Sequence, residues 1–258
     1  MNRFRLAIQR LDVAALPAPP SFFSFPTTLI LTRFLKFLLL LSILLLTVFA
    51  QGQSLNEQKL ADYKKAIRER SQKIVYTLGI TDSNKQVKLT ELLSEQYFCL
   101  NEIHESAKTD IAAIKTKALA KEFADVEIKA RAEKKSAALL HRHKRFVTQL
   151  KRKLTDEQVD KVKDGMTYRV FPITWAAYQE MLPNLTTEQK DRLYTWLKEA
   201  RELAMDAESS EKKHAVFGKY KGKINNYLSA AGYDMKKEGE EWQKRVKQRA
   251  AQKSAPSN

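Results

Sequence analysis

The sequence predicts an all-α protein, a multi-helix bundle that contains one long helical hairpin. Only 7 glycines and 7 prolines occur among 258 residues, and neither occurs between Gly79 and Gly165. Proteins built from sheets need turn residues every ~8–12 positions, so a gap of this length favours long helices. Apolar residues also recur at steps of three and four along much of the chain, which is the period of a helix surface.

The start of the chain has the layout of a secretory signal peptide. Arg33 and Lys36 form a basic segment, a run of apolar residues follows, and Val48 and Ala50 are the small residues that precede a cleavage site. The apolar run is shorter than the ~20 residues that span a membrane. We therefore predict an exported protein, periplasmic or secreted. The alternative is an inner-membrane protein anchored by an uncleaved segment 34–50.

Residues 1–30 precede this signal and do not fit it, because they contain four prolines and no clear periodicity. We predict that they are an extension created by a start codon assigned too early. Residues 1–50 would then be extension and signal peptide. Residues 51–258 are expected to form a single all-helical domain that ends in a short disordered tail.

The first predicted helix covers residues 54–78, where Leu60, Tyr63, Ile67 and Ile74 recur at helical spacing and Gly79 provides the end. A longer helical region follows. A single helix over 85–153 would be ~100 Å long at ~1.5 Å per residue, so we expect a hairpin of two helices. No breaker marks the bend, which we place only within 105–125.

Two apolar stripes predict which faces of this hairpin pack. The first stripe is Leu89, Leu93, Gln96, Leu100, Ile103, Ala107, Ile111, Ile114 and Ala118. The second is Leu119, Phe123, Val126, Ala130, Ala137, Leu140, Val147, Leu150 and Leu154.

Two later helices begin at capping boxes, in which the first and fourth residues cap each other's backbone. Thr155 with Gln158 marks one, and Thr186 with Gln189 marks the other. Gly165 is expected to end the first of these helices. Further helices are predicted from about residue 173, over 186–205, near 221–231 and over 235–249. The buried face of 186–205 is predicted to be Leu193, Trp196, Leu197, Ala200 and Leu203.

The charge of the chain is strongly positive. The net charge is +16, and it is +12 for residues 51–258 because the first 50 carry five of the 46 basic residues and one of the 30 acidic ones. Export argues against a nucleic-acid partner and favours an anionic polysaccharide or oligosaccharide. Unfolded proteins or an anionic envelope surface are alternative partners. Residues 131–153 carry nine Lys or Arg against one Glu, which is typical either of a solvated face or of a docking surface for an anion.

Residues with common catalytic chemistry are sparse. His141 and His143 are two positions apart, which places them on different faces of a helix. No metal-binding spacing and no phosphate-binding glycine loop occurs, so we expect no metal site and no cofactor. Cys99 lies in an apolar helical run and is expected to be a buried, unreactive thiol. The catalytic residues, if there are any, stay unknown, and we expect a binding protein rather than an enzyme.

The stretch SSEKKHAVFGKYKGKINNYLSAAGY, residues 209–233, combines lysines, aromatic residues and asparagines. Ile224, Tyr227 and Leu228 have the spacing of a buried helix face, and Gly232 that of a helix C-cap. The remaining polar and aromatic side chains of this stretch, with aromatic residues before it, are the candidate ligand-binding set. That set is Trp175, Tyr178, Lys212, Lys213, His214, Lys219, Tyr220, Lys221, Asn225 and Asn226.

This stretch, together with 73–106, 154–168 and the remainder of 181–242, resembles a secreted bacterial family called domain of unknown function 3826. The resemblance implies sugar binding, because the family is associated with polysaccharide-utilisation genes near pectin-degrading enzymes. It supplies no catalytic residues. Family members often have Trp where this chain has Val216 and Gly where it has Arg169.

Three functions therefore stay open. The first is an exported carbohydrate-binding or accessory protein of polysaccharide utilisation, for acidic glycans such as pectin. The second is a periplasmic helical chaperone or stress protein. The third is a glycan-active enzyme, for example a lyase that uses Lys213 or His214 as a base.

Overall fold

Eight helices account for nearly all of the chain that the computed structural model describes, which is residues 57–117 and 120–254. That part contains no strand, and the all-α prediction is confirmed. The predicted signal peptide and its extension lie outside the described residues. In chain order the helices are α1 (57–76), α2 (Ser83–Thr116), α3 (Lys121–Lys151), α4 (Asp156–Met166), α5 (Val170–Met181), α6 (Thr187–Met205), α7 (Ser210–Ala230) and α8 (Met235–Ser254).

Helices α2 and α3 form the predicted hairpin, and the break between them falls within the predicted window. The predicted stripe on α2 is confirmed: six of its eight described residues are buried, and Ala118 and Leu119 lie outside the described residues. The second stripe is wrong over most of its length, because Phe123, Val126 and Leu140 are 69%, 68% and 55% exposed. It is right at its end, where Leu150 and Leu154 are buried, and the packed face of α3 also carries Arg142 and Phe146. Helix α3 has apolar residues on two faces, and only one of them meets α2.

The first hydrophobic core lies between α1, α2, α3 and α4. Gly165 was expected to end α4, but it lies inside the last turn of the helix. A β-carbon on Gly165 would lie 2.9 Å from Cγ1 of Ile74 on α1. The missing side chain therefore lets α1 and α4 approach each other closely.

The second core lies between α5, α6 and α7. Helix α5 begins three residues earlier than predicted, because Pro172 occupies its first turn, where no backbone N–H is needed. Helix α7 begins at Ser210 rather than near 221, and the side chain of Ser209 caps it by accepting a hydrogen bond from the Lys212 N–H at 3.1 Å. Helix α8 extends to Ser254 rather than 249.

The helix ends confirm the local predictions. Both capping boxes, at Thr155 and Thr186, are present with both of their hydrogen bonds. Gly232 has a φ of +93° and follows Ala231, the C-cap residue of α7, at the position where a glycine with positive φ closes a helix. The predicted face of α6 is wrong at Leu203, which is 54% exposed, while Arg201 on the same helix is buried.

The hairpin is joined to α6 by a cluster of charged side chains. The His143 ring lies between two carboxylates, with Nδ1 2.8 Å from Asp206 and Nε2 3.2 Å from Glu202. The Lys163 ammonium donates to Glu202 at 2.8 Å. A ring nitrogen of His104 lies 2.7 Å from the carbonyl oxygen of Asp206. Residues of α2, α3 and α4 thus all meet the C-terminal end of α6.

These contacts fix the charge states in the cluster. The Asp206 and Glu202 carboxylates raise the pKa of His143 from 6.5 to about 9. Burial raises the pKa of Glu202, but the hydrogen bonds from His143 and Lys163 outweigh it and lower that pKa to about 2. At neutral pH the cluster therefore holds an imidazolium between carboxylates.

In the described part of the chain, every helix is too short or too polar to cross a bilayer.

We expect the stability that His143 contributes to depend on pH. Its folded-state pKa is raised, so its contribution is complete below pH 6.5 and is lost as the pH rises through about 9. A His143→Gln variant should lose on the order of 2–3 kcal/mol of unfolding free energy at pH 6, and this difference should shrink towards pH 10. Urea unfolding at a series of pH values measures it. The exposed His141→Gln is the control, and a pH-independent effect of His143→Gln would contradict the assignment.

The close approach at Gly165 gives a second prediction. Gly165→Ala should destabilise the protein by about 1–3 kcal/mol, because the new methyl group displaces Ile74 in a packed core. Gly222→Ala is the matched control: nothing lies within 4 Å of its added β-carbon, and it is in mid-helix. That variant should gain about 0.5–1 kcal/mol from helix propensity. Equal shifts in the urea midpoint for both variants would refute the packing argument.

Candidate functional site

A cleft of about 670 Å³ opens between α1, α2, α4 and the turn that leads into α5. Four of its lining residues are cations, two are tyrosines and one is a carboxylate. We call it the cationic cleft, and its residues are Arg70, Lys73, Ile74, Thr77, Tyr97, Lys161, Asp164, Gly165, Met166, Tyr168, Arg169 and Pro172.

Arg70 lies between the two tyrosines of the cationic cleft. Its guanidinium carbon is 5.8 Å from the ring centre of Tyr97 and 5.9 Å from that of Tyr168. Arg70, Lys73 and Arg169 form no ion pair with any residue that the structure describes. The cleft therefore carries an excess of positive charge, which is the arrangement that attracts an anion.

The turn between α4 and α5 has an unusual backbone. Tyr168 and Arg169 both have a φ of 57°, in the left-handed region that residues with side chains rarely adopt. A hydrogen bond of 2.7 Å from the Arg169 N–H to the Asp164 carbonyl closes the turn. Strained residues of this kind persist where the surroundings hold them, and they concentrate at functional sites. Here the strained turn supplies one tyrosine and one arginine to the cationic cleft.

The one carboxylate of the cationic cleft does not cancel its cations. Burial raises the pKa of Asp164, and the neighbouring Arg201 guanidinium opposes this. Arg201 donates to Asp164 at 2.8 Å and to Asp160 at 2.6 Å, and it is 1% exposed. Arg201 thus holds Asp164 from outside the cleft, and this one carboxylate stands against four cations within it.

Two predicted binding residues are buried and act within the fold. Lys213 is 5% exposed, and its ammonium donates to the carbonyl oxygens of Ala204 and Met205 at 2.9 and 2.8 Å. It therefore caps the end of α6, and burial lowers its pKa to about 8. Tyr178 is also 5% exposed and donates to Asn225 at 2.7 Å. The prediction that Lys213 faces solvent is wrong, because the last carbonyls of α6 need a donor there.

The other predicted residues do not gather in one place. His214 stacks on Tyr168, with ring centres 5.6 Å apart, and so touches the rim of the cationic cleft. Trp175 packs edge-on against Tyr194, and Tyr220 lies beside Lys223 on α7. The remaining predicted residues are exposed along α7: Lys212, Lys219, Lys221, Asn225 and Asn226.

Sequence analysis missed the cations of the cleft. Arg70, Lys73 and Lys161 lie in helices whose charged residues resemble an ordinary solvated surface, and Arg169 stands next to α5 without a motif. The available signal was the expected glycine at position 169, which indicates a backbone position with positive φ. The described residues contain no group of His, Cys, Asp and Glu that could hold a metal ion.

The strained turn gives a prediction about stability. Arg169→Gly should be about 1 kcal/mol more stable than Arg169→Ala, because only glycine adopts this backbone conformation without steric cost. Both variants remove the same charged side chain, so their difference isolates the backbone. Urea unfolding of the two variants measures it, and equal stability would show that the turn is unstrained in solution.

Comparison with known proteins gives one family match. The model of the family described as "Protein of unknown function (DUF3826)" matches residues 64–248, which include the whole cationic cleft. No curated protein shows significant similarity to the chain. Because the match covers most of the sequence, the chain belongs to the DUF3826 family.

Proposed function

We propose that this protein is an exported binding protein that holds acidic glycans such as pectin in the cationic cleft. The observation that carries the proposal is the set of three unpaired cations, Arg70, Lys73 and Arg169, beside the rings of Tyr97 and Tyr168. The three cations can pair with a carboxylate, and the two flat tyrosine rings can stack on a sugar ring.

The chemistry of recognition follows from these side chains. An arginine presents two parallel N–H groups that fit the two oxygens of a carboxylate, and such charge-assisted bonds are strong. Aromatic rings offer flat apolar surface that can cover the C–H face of a pyranose ring. A volume of about 670 Å³ lies within the usual ~300–1,000 Å³ of small-ligand sites.

The proposal includes export, which makes extracellular anions the available partners. The net charge of +12 beyond residue 50 supports it, since long-range attraction would concentrate a polyanion at this surface. The family resemblance to proteins of polysaccharide utilisation supports it as well. Binding should weaken with salt, because the contacts are ionic.

Binding is tested by calorimetric titration with a galacturonic acid trimer at low salt and with its methyl ester. The acid should bind, and the ester should bind at least ~10-fold more weakly, because it keeps the sugar rings and loses the charges. Arg70→Gln should weaken binding of the acid by ~10–100-fold, which corresponds to the loss of one charge-assisted hydrogen bond. Tyr168→Ala should weaken the binding of both the acid and the ester.

Arg192→Gln is the control for Arg70→Gln, because Arg192 lies over Tyr227, outside the cationic cleft. It should leave the affinity unchanged. Equal binding of acid and ester, or no binding of either, would overturn the proposal. Release of unsaturated products during the titration would instead indicate a glycan-active enzyme.

A chaperone function is the second candidate, and one observation favours it. Phe123, Val126 and Leu140 expose apolar surface on a helix that also carries excess positive charge. Such a surface could hold unfolded chains. Suppression of the aggregation of a reduced model protein at equimolar ratio would support this function.

A further inference from the structure

The face of α3 that points away from α2 carries an unbroken heptad pattern. Positions 123, 126, 130, 133, 137, 140, 144 and 147 follow one another at alternating steps of three and four. We call this face the outer stripe. Six of its eight residues are apolar: Phe123, Val126, Ala130, Ala137, Leu140 and Val147.

No described helix covers the outer stripe. Helix α3 packs against α2 and α4, and it does so through the opposite face, where Arg142, Phe146 and Leu150 are buried. The larger apolar side chains of the outer stripe, Phe123 and Leu140, are more than half exposed. A stripe from 123 to 147 is roughly 36 Å long at ~1.5 Å per residue, which is long for an apolar seam left in water.

The pattern specifies a helical partner. Apolar residues at alternating steps of three and four are the seam of a coiled coil, in which each side chain fits between side chains of a facing helix. The two charged members of the outer stripe are Glu133 and Lys144, and neither forms an ion pair with a described residue. A matching partner must therefore bring a cation opposite Glu133 and an anion opposite Lys144.

A second copy of the same helix meets this requirement in only one direction. In a parallel pair, Glu133 would face its own copy and so would Lys144, and like charges in a seam repel. In an antiparallel pair, Glu133 of each chain can lie opposite Lys144 of the other.

The charges along the rest of α3 favour the same direction. All four acids of the helix lie between 121 and 133, at positions 122, 125, 127 and 133, together with three Lys or Arg. From 134 to 151 there are six Lys or Arg and no acid. An antiparallel pair places the segment of each helix that holds its acids beside the basic segment of its partner.

We propose that the outer stripe binds a second copy of this chain, and that two α3 helices form an antiparallel coiled coil with Glu133 opposite Lys144. This proposal does not depend on the ligand of the cationic cleft. It assigns a role to the second apolar stripe, which the packing of the monomer leaves unused.

Charge exchange tests the proposal. The wild-type protein should sediment as a dimer that dissociates on dilution. Glu133→Lys and Lys144→Glu should each raise the dimer dissociation constant at least ~10-fold, because each places like charges opposite each other. The double variant restores opposite charges at both positions of the symmetric dimer, so it should recover the wild-type dissociation constant.

Glu240→Lys is the matched control, because it makes the same substitution as Glu133→Lys at an exposed position of another helix, α8. It should leave the dimer intact. Circular dichroism checks that each variant keeps its helix content. If the wild-type protein sediments as a monomer at all concentrations, the proposal is overturned. The outer stripe would then need another occupant, such as residues 1–56 or an unfolded client. A dimer that resists both single variants, or a double variant that fails to recover, would overturn it too.

Discussion

The fold depends on the buried guanidinium of Arg201. This side chain extends from α6, in the second core, to Asp160 and Asp164 of α4, which packs in the first core. It also lies over the ring of Phe171, 4.9 Å from its centre. A buried arginine without partners would be costly, so the two carboxylates and the ring must stay where they are. One charged group thus sets how the two cores meet.

The contact between Arg201 and Asp164 also affects the charge of the cationic cleft. Asp164 lies among the cations of the cleft, and by itself it would pair with one of them. Because Asp164 bonds to Arg201 instead, Arg70, Lys73 and Arg169 form no direct ion pair, and the cleft keeps a positive charge. The cleft is thus an electrostatic consequence of how α4 and α6 are joined, as well as a gap between helices.

The sequence predicts correctly those features that depend on residues close together in the chain. The capping boxes at Thr155 and Thr186 involve residues three positions apart, and they set helix starts whatever the tertiary structure is. Predictions fail for features that depend on contacts between distant parts of the chain. Both faces of α3 carry apolar residues, and only the position of α2 determines which one is buried. The cationic cleft was missed because Arg70, Tyr97 and Arg169 are far apart in sequence and share no motif.

Lys213 has a consequence for chemical reactivity. A lysine whose pKa is about 8 is partly neutral at physiological pH, and neutral amines are nucleophiles. Its position beneath the end of α6 shields it from reagents while the junction between α6 and α7 is closed. When that junction opens, burial no longer lowers the pKa, so this amine should acylate as an ordinary lysine does, at a rate set by how often the junction is open. The capping lysine is therefore a built-in reporter of local opening at one helix junction.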